Sequence, residues 1–364
     1  MNEFDEKQAR VSSLLAEHNL DVLLLQRVSS FAWATCGAAS YVNAASTDGA
    51  SSLLIGPNGH YLITNNIEAP RLEQEERLDA QGWQFRAGPW HESEATIAEL
   101  TRGLKLGADG LYPGATGLSR EVSHLRAALT PEEGDRFREL GRLCAEAMSA
   151  ATHAVRPAMT EYEISALVAR ETQLRGAQPT VNLVATDERV LRFRHPLPTN
   201  KRLERYAMLV LCGRKWGLVC SITRLVYFGH LPDDLRRKAE ATARVDATLI
   251  AGSCPGRTLG AIFAMAKTAY AETGYPNEWR HHHQGGPAGY EPREFLATPD
   301  STEVIALGQA YAWNPSIAGT KSEDTVLIGE HGTEEVTSIR GWPMQSISLG
   351  NGQIHARPAI LEIS

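Results

Sequence analysis

Two segments, Thr130-Pro131-Glu132-Glu133 and Thr160-Glu161-Tyr162-Glu163, each read as a helix start, and together they set the layout of the chain. In both, a threonine that can cap a helix stands three residues before a glutamate that can reach back to the cap, so donors of the first turn are satisfied. Pro131 suits a first turn. After Thr130, Phe137, Leu140, Cys144, Ala147, Met148 and Ala151 recur at helical spacing. After Thr160, Ile164, Leu167, Val168 and Leu174 do the same as far as Gly176. Strand-like runs follow at 181–185, 206–212 and 217–227. A second helix pair is expected over 233–250 and 258–273, then short strands at 303–305, 310–313 and 325–328. Upstream, an amphipathic helix over 5–18 leads into a buried strand, 21–25. Strands at 52–55 and 60–64 flank the hairpin signal Gly56-Pro57-Asn58-Gly59. Weaker strand signals lie at 83–86 and 104–108. The predicted class is α/β (α+β): a compact α/β domain over residues 1–128, then a second domain over 129–364. A length of 364 residues leaves room for two cores.

Composition narrows the function classes. A net charge of -7 gives no support for a nucleic-acid partner. No apolar run is long enough to span a membrane, and Met1 to Glu6 lack an apolar signal core, so cytoplasmic residence is the expectation. The five cysteines are scattered and form no C-x-x-C pair, which argues against a zinc knuckle or a disulfide framework. Cys212 and Cys220 read as core residues, with weak support for a cysteine nucleophile.

The chemistry concentrates in three places. His281-His282-His283-Gln284-Gly285-Gly286 runs through a glycine-rich turn to Arg293-Glu294. Three consecutive side chains cannot all face one point, so one or two should reach a site. Their spacing also misses the i, i+4 pattern of helical zinc motifs. Arg293 suits a carboxylate clamp, or an ion pair with Glu291 or Glu294. His195 sits between Arg192 and Arg194 and before Pro196-Leu197-Pro198. Nearby positive charge favours the neutral ring, which acts as a base; taken without its surroundings, the segment reads more readily as an ordinary loop histidine. Downstream, Asn314 can hydrogen-bond a substrate, Glu323 can orient a histidine or hold a cation, and Asp324 reads as a backbone bridge.

Over nearly its whole length the chain resembles the pita-bread family of creatinase, aminopeptidase P, prolidase and methionine aminopeptidase. The resemblance rests on His195 before Pro198-Thr199-Asn200, on Ser221-Ile222-Thr223-Arg224 against the family's Asp-Ile-Thr-Arg, and on Glu323-Asp324-Thr325. It implies a creatinase-type N-terminal α/β domain, a C-terminal pita-bread domain and a homodimer in which residues 38–43 reach toward the partner. It also implies a dinuclear metal site built from two aspartates, one histidine and two glutamates. Here those positions fall within 210–212, where no aspartate occurs, and at Ser221, Gly286, Asn314 and Glu323. One carboxylate cannot neutralise two hard cations, so no metal and no cofactor are expected.

Creatinase, the metal-free precedent in this fold, has a Gly-x-x-x-Arg-Glu ending that matches Gly289 to Glu294. There the arginine binds a substrate carboxylate, and the histidine matching His195 moves protons. Creatinase's guanidinium-binding glutamates fall at Thr223 and Asn314, which makes creatine a poor fit. The resulting expectation is a metal-independent hydrolase cleaving a C–N bond, amide or amidine-like, of a small amino-acid-like molecule. His195, His282, His283 and Glu323 are the catalytic candidates. Arg293, Asn314, Gln284, Ser221, Thr223 and Tyr290 are the substrate-binding candidates. The competing readings are an Xaa-Pro-type metallopeptidase with unusual ligands, a non-catalytic binding protein and a lyase acting on a specialised metabolite.

Overall fold

The computed structural model describes residues 2–57, 59–91, 93–350 and 354–364. The chain divides into two compact units, one running to Glu132 and also taking in Trp216–Leu218, the other comprising Glu133–Lys215 and Val219–Ser364. The division falls at the start of the Pro131–Ala154 helix.

The first unit is built on a six-stranded sheet in the order Gln84–Gly88, Gly59–Asn65, Asp48–Gly56, Val22–Arg27, Leu106–Ala108, Thr116–Gly117. Leu23, Leu24 and Leu25 are all fully buried. Successive side chains of a strand point to opposite faces, so both faces of the sheet are covered there. The expected hairpin pairs Ser52 to Gly56 with Ile63 to Gly59; Asn58 of its turn lies outside the described residues. A helix over Val28–Ala34 was not anticipated, and every one of its residues is buried. A helix hydrophobic all round carries no amphipathic period to read.

The second unit starts with the two anticipated helices, Pro131–Ala154 and Glu161–Leu174. The capping box at Thr160 is complete: its hydroxyl accepts the Glu163 N–H, and the Glu163 carboxylate accepts the Thr160 N–H. A four-stranded sheet follows in the order Leu361–Ile363, Leu218–Phe228, Tyr206–Lys215, Gln178–Thr186. A second sheet runs Gly285–Ala288, Ala310–Trp313, Asp324–Gly329, Gly332–Glu335, antiparallel throughout. Helices Asp233–Gly252 and Leu259–Glu272 match the second predicted pair. The strand expected at 303–305 is absent as such: Val304 makes only an isolated bridge to Thr258, which caps the neighbouring helix.

The two sheets meet where the two sequence motifs meet. The Thr223 N–H donates to the Glu323 carbonyl at 3.1 Å. One step back, the Ser221 N–H donates to Thr325 Oγ1 at 3.0 Å, and that hydroxyl donates to the Ser221 carbonyl at 2.9 Å. One step on, Arg224 pairs with Asp324 at 2.8 Å, with both groups buried. Asp324 therefore ties two strands through charge, and also binds Arg357 at 2.6 Å, where a backbone bridge was expected. Replacing Thr160 by alanine should remove the capping box at the entry to this unit and lower stability by about 1 kcal/mol, read by urea denaturation.

Candidate active site

His195 is carried on a loop after the short helix Glu188–Arg192. A buried carboxylate, Glu161, holds that loop. It accepts the Thr186 N–H at 2.8 Å, the Thr199 N–H at 2.9 Å and the Thr199 hydroxyl at 2.7 Å, and it pairs with Arg189. The same helix start that caps through Thr160 thus anchors the histidine loop through its first helical residue.

His282 and His283 follow the turn Glu278–His281 and precede the Gly285–Ala288 strand. His281 is exposed, His282 only 9% exposed and His283 half-buried. Gln284, fully buried, donates to the His282 carbonyl at 2.6 Å and accepts the Tyr270 hydroxyl at 2.9 Å. Its carboxamide is spent on the scaffold, which corrects its expected role in substrate binding. Tyr290 is corrected for the same reason: it is buried and donates to Glu133 at 2.6 Å.

The structure brings His195, His282 and His283 together, with one ring nitrogen of each within 4.8 Å of the others. The Nε2 atoms of His195 and His282 are 3.1 Å apart, and Ser316 Oγ lies 3.2 Å from His282 Nδ1. A neutral ring carries one N–H, so one Nε2 donates to the other and a single proton shift reverses the direction.

Beside the rings lies an ionic knot. Glu323, 3% exposed, binds Lys321 at 2.7 Å and Arg293 at 2.9 Å and accepts the Thr223 hydroxyl at 2.5 Å. Among the described residues no histidine bonds to it, which corrects its expected role as a histidine orienter. Burial raises the Glu323 pKa, but Lys321 and Arg293 outweigh that and hold it near 2. The histidines move the other way. Burial first, then Lys321, pushes His282 down to about 2; burial and then Arg293 push His283 to about 4. His195 is lowered by loss of solvent and by Lys321 and Arg293, not by its sequence neighbours; Arg194 is paired with Glu278. Cys212 is pushed up to about 11 by burial and the Glu323 charge, which favours the protonated thiol over the nucleophilic thiolate.

These groups border a cavity of about 480 Å³. Val181, Leu183, Val210 and Leu296 form its apolar wall; His195, His283, Arg293, Asn314, Lys321 and Glu323 supply its polar groups. Ser221 and Thr223 stand behind them, Ser221 accepting from Arg293 at 3.1 Å and lying 3.2 Å from Cys212 Sγ. Lys321 was missing from the sequence reading. A signal existed: Lys321 and Glu323 are two apart in an extended segment, which places both side chains on one face.

A model of metallopeptidase family M24 matches residues 135–330, more than half of the chain. The chain belongs to that family. It is 25% identical over 226 residues to an Xaa-Pro dipeptidase of Pyrococcus furiosus, covering 59% of this chain and 64% of that protein. The match thus spans just under two thirds of the relative's length. A prolidase structure from Pyrococcus horikoshii superposes with a TM-score of 0.79 at 18% identity, over 92% of this chain and 99% of that one. An Xaa-Pro dipeptidase structure from Bacillus anthracis does so with a TM-score of 0.79 at 20% identity, over 99% and 100%. The fold is the pita-bread fold.

The residues of this M24 member do not fit a dinuclear metal centre. Of the five positions that the family resemblance assigns to ligands, only Glu323 is a carboxylate, and both of its oxygens are engaged by cations. Gly286 has no room for a side chain, since a Cβ there would meet the Phe295 carbonyl oxygen at 2.3 Å. Gly286→Ala should therefore destabilise the fold by about 1–3 kcal/mol, checked by thermal or urea denaturation. A second prediction follows from the depressed imidazoles. At about pH 5, where an ordinary imidazole is mostly charged, ¹⁵N NMR should find His282 and His283 neutral. The unfolded chain then takes up protons first as pH falls, so the stability linked to these two rings is complete above about pH 6.5 and is lost below it, down to about pH 4 for His283 and about pH 2 for His282.

Proposed function

We propose that this chain is a metal-independent hydrolase of the creatinase type, cleaving a C–N bond in a small amino-acid-like molecule. The observation that carries the reading is the ionic knot: Lys321 and Arg293 occupy the two oxygens of Glu323, the one acidic side chain on the cavity among the described residues. Fixed positive charge is supplied by side chains where the family resemblance would place cations, and neutral imidazoles stand next to it.

His195, which keeps an exposed face on the cavity, is the general base. In the proposed step it takes a proton from a water molecule as the water oxygen bonds to the scissile carbon. It then returns that proton to the nitrogen as the C–N bond breaks, so one water is consumed and an acid and an amine are released. The contact to His282, and from there to Ser316, steadies the ring and gives the proton a second place to reside. Lys321 offsets the negative charge that develops on the carbonyl oxygen, and Arg293 anchors a substrate carboxylate. Homodimer formation and cytoplasmic residence are part of the same proposal; among the described residues no helix is long and apolar enough to cross a membrane.

One observation favours a second reading, a single metal ion held by His195, His282 and His283, whose nitrogens lie within 4.8 Å. Ligand nitrogens of a tetrahedral zinc site sit about 3.3 Å apart, given Zn–N bonds of about 2.0–2.1 Å. Two neighbouring cations also oppose a third. Metal analysis decides between the readings. The purified protein should carry far less than stoichiometric metal, and chelator should leave turnover unchanged; near-stoichiometric metal with chelator-sensitive turnover selects the second reading. On the metal-free reading His195→Gln should lower kcat by about 100-fold to 10,000-fold with the fold intact.

A further inference from the structure

The cavity carries unspent hydrogen-bonding capacity as well as charge. Asn314 is 2% exposed, and its side-chain carbonyl oxygen has no partner among the described residues. Arg293 Nε is likewise buried and without a partner. An unmet buried acceptor and an unmet buried donor each cost free energy, which a ligand can recover. The acceptor calls for an N–H, and the donor calls for a carboxylate or carbonyl oxygen.

Charge narrows the ligand further. The cavity groups sum to +1: two cations, Lys321 and Arg293, and one anion, Glu323, with the three histidines neutral. No second acidic side chain lines the cavity among the described residues. A cationic amine would meet repulsion here, and Glu323 is already doubly engaged. A monoanion restores neutrality. The wall of Val181, Leu183, Val210 and Leu296 adds an apolar surface on which a hydrocarbon side chain can lie.

From these features we infer that the substrate is an N-acylated amino acid: a carboxylate, a neutral secondary amide with its N–H, no free ammonium group, and an apolar side chain. This rests on the hydrolase reading given above and refines it. The carboxylate is held by Arg293, whose Nε is unpartnered among the described residues, Lys321 is left to the carbonyl oxygen, and the amide N–H donates to Asn314 Oδ1. A dipeptide with a free amino terminus and a prolyl amide offers neither feature: its nitrogen lacks the hydrogen and its ammonium group adds positive charge. Hydrolysis adds water across the amide, releasing the acyl group as a carboxylic acid and the amino acid with its nitrogen free.

Isothermal titration of chelator-treated His195→Gln protein tests the inference, because this variant keeps Asn314 and both cations. Four probes separate the terms: N-acetyl-L-leucine, its N-methyl analogue without the N–H, the neutral N-acetyl-L-leucinamide, and L-leucyl-L-proline. N-acetyl-L-leucine should bind at least about tenfold more tightly than each of the others, the ratio that one good hydrogen bond or charge contact supplies. Asn314→Ala should abolish the preference over the N-methyl analogue while keeping the preference over the neutral amide. Equal binding of the four probes, tighter binding of L-leucyl-L-proline, or binding of none overturns the inference. Turnover by the unmodified protein separates this from the reading beneath it. Selective binding of N-acetyl-L-leucine without hydrolysis sinks the hydrolase and keeps the ligand class, whereas metal-free hydrolysis of L-leucyl-L-proline does the reverse.

Discussion

The second unit depends on the seam at Thr223 and Glu323. A single backbone bridge joins the two sheets there, and the side chains on either side of it divide by the alternation of extended chains. Thr223 and Glu323 turn to the cavity, where the threonine hydroxyl donates to the carboxylate at 2.5 Å. Arg224 and Asp324 turn away and form a buried pair at 2.8 Å. Desolvating such a pair is expensive unless every lone pair and proton is engaged. Here Arg224 also donates to the Thr223 carbonyl at 2.7 Å, and Asp324 accepts the Thr337 hydroxyl at 2.7 Å and binds Arg357. The charges that fix the seam are thus separate from the charges that face the cavity.

That separation explains how the site can differ from its family pattern while the fold persists. The structural half of each motif, Arg224 with Asp324 and Ser221 with Thr325, needs only backbone register and satisfied buried charge. The cavity half is free to change chemistry. Where carboxylates gather in the family pattern, this chain has Ser221, Asn314 and an aliphatic or thiol position, and it adds Lys321 and Arg293 around the remaining glutamate. The electrostatic sign of the cavity is inverted. Neutral histidines are the natural companions of that inversion, because nearby cations and burial both oppose their protonation.

Much of the fold was legible because its helices are amphipathic and its caps are local. The Thr160 box depends on residues three apart, and Val168 falls where helical periodicity from Ile164 puts it. The Val28–Ala34 helix was not legible, since burial on all sides erases the period. Segment 303–305 misled for a different reason: the adjacent β-branched residues Val304 and Ile305 mark a strand only where a partner strand is available, and Val304 finds one bridge. Within the site, His195, His282, His283, Arg293, Asn314 and Glu323 were all nameable from residue type and spacing, and the structure brings them together. Gln284 and Tyr290 were nameable too, but their polar atoms are consumed by Tyr270, His282 and Glu133.

The sequence by itself determined most of the helices and strands, and that carboxylates are missing from the expected ligand positions. These are matters of local periodicity, capping and residue identity. Only the tertiary structure decided what replaces the missing charge. Lys321 and Arg293 are 28 residues apart in the numbering, and His195 is far from both, yet all of them act on one another across a few ångströms in the cavity. Electrostatic coupling depends on distance through space and on the loss of water around each group. Neither is written in the order of the residues, so the neutral histidines and the doubly engaged glutamate emerge only once the sheets have met.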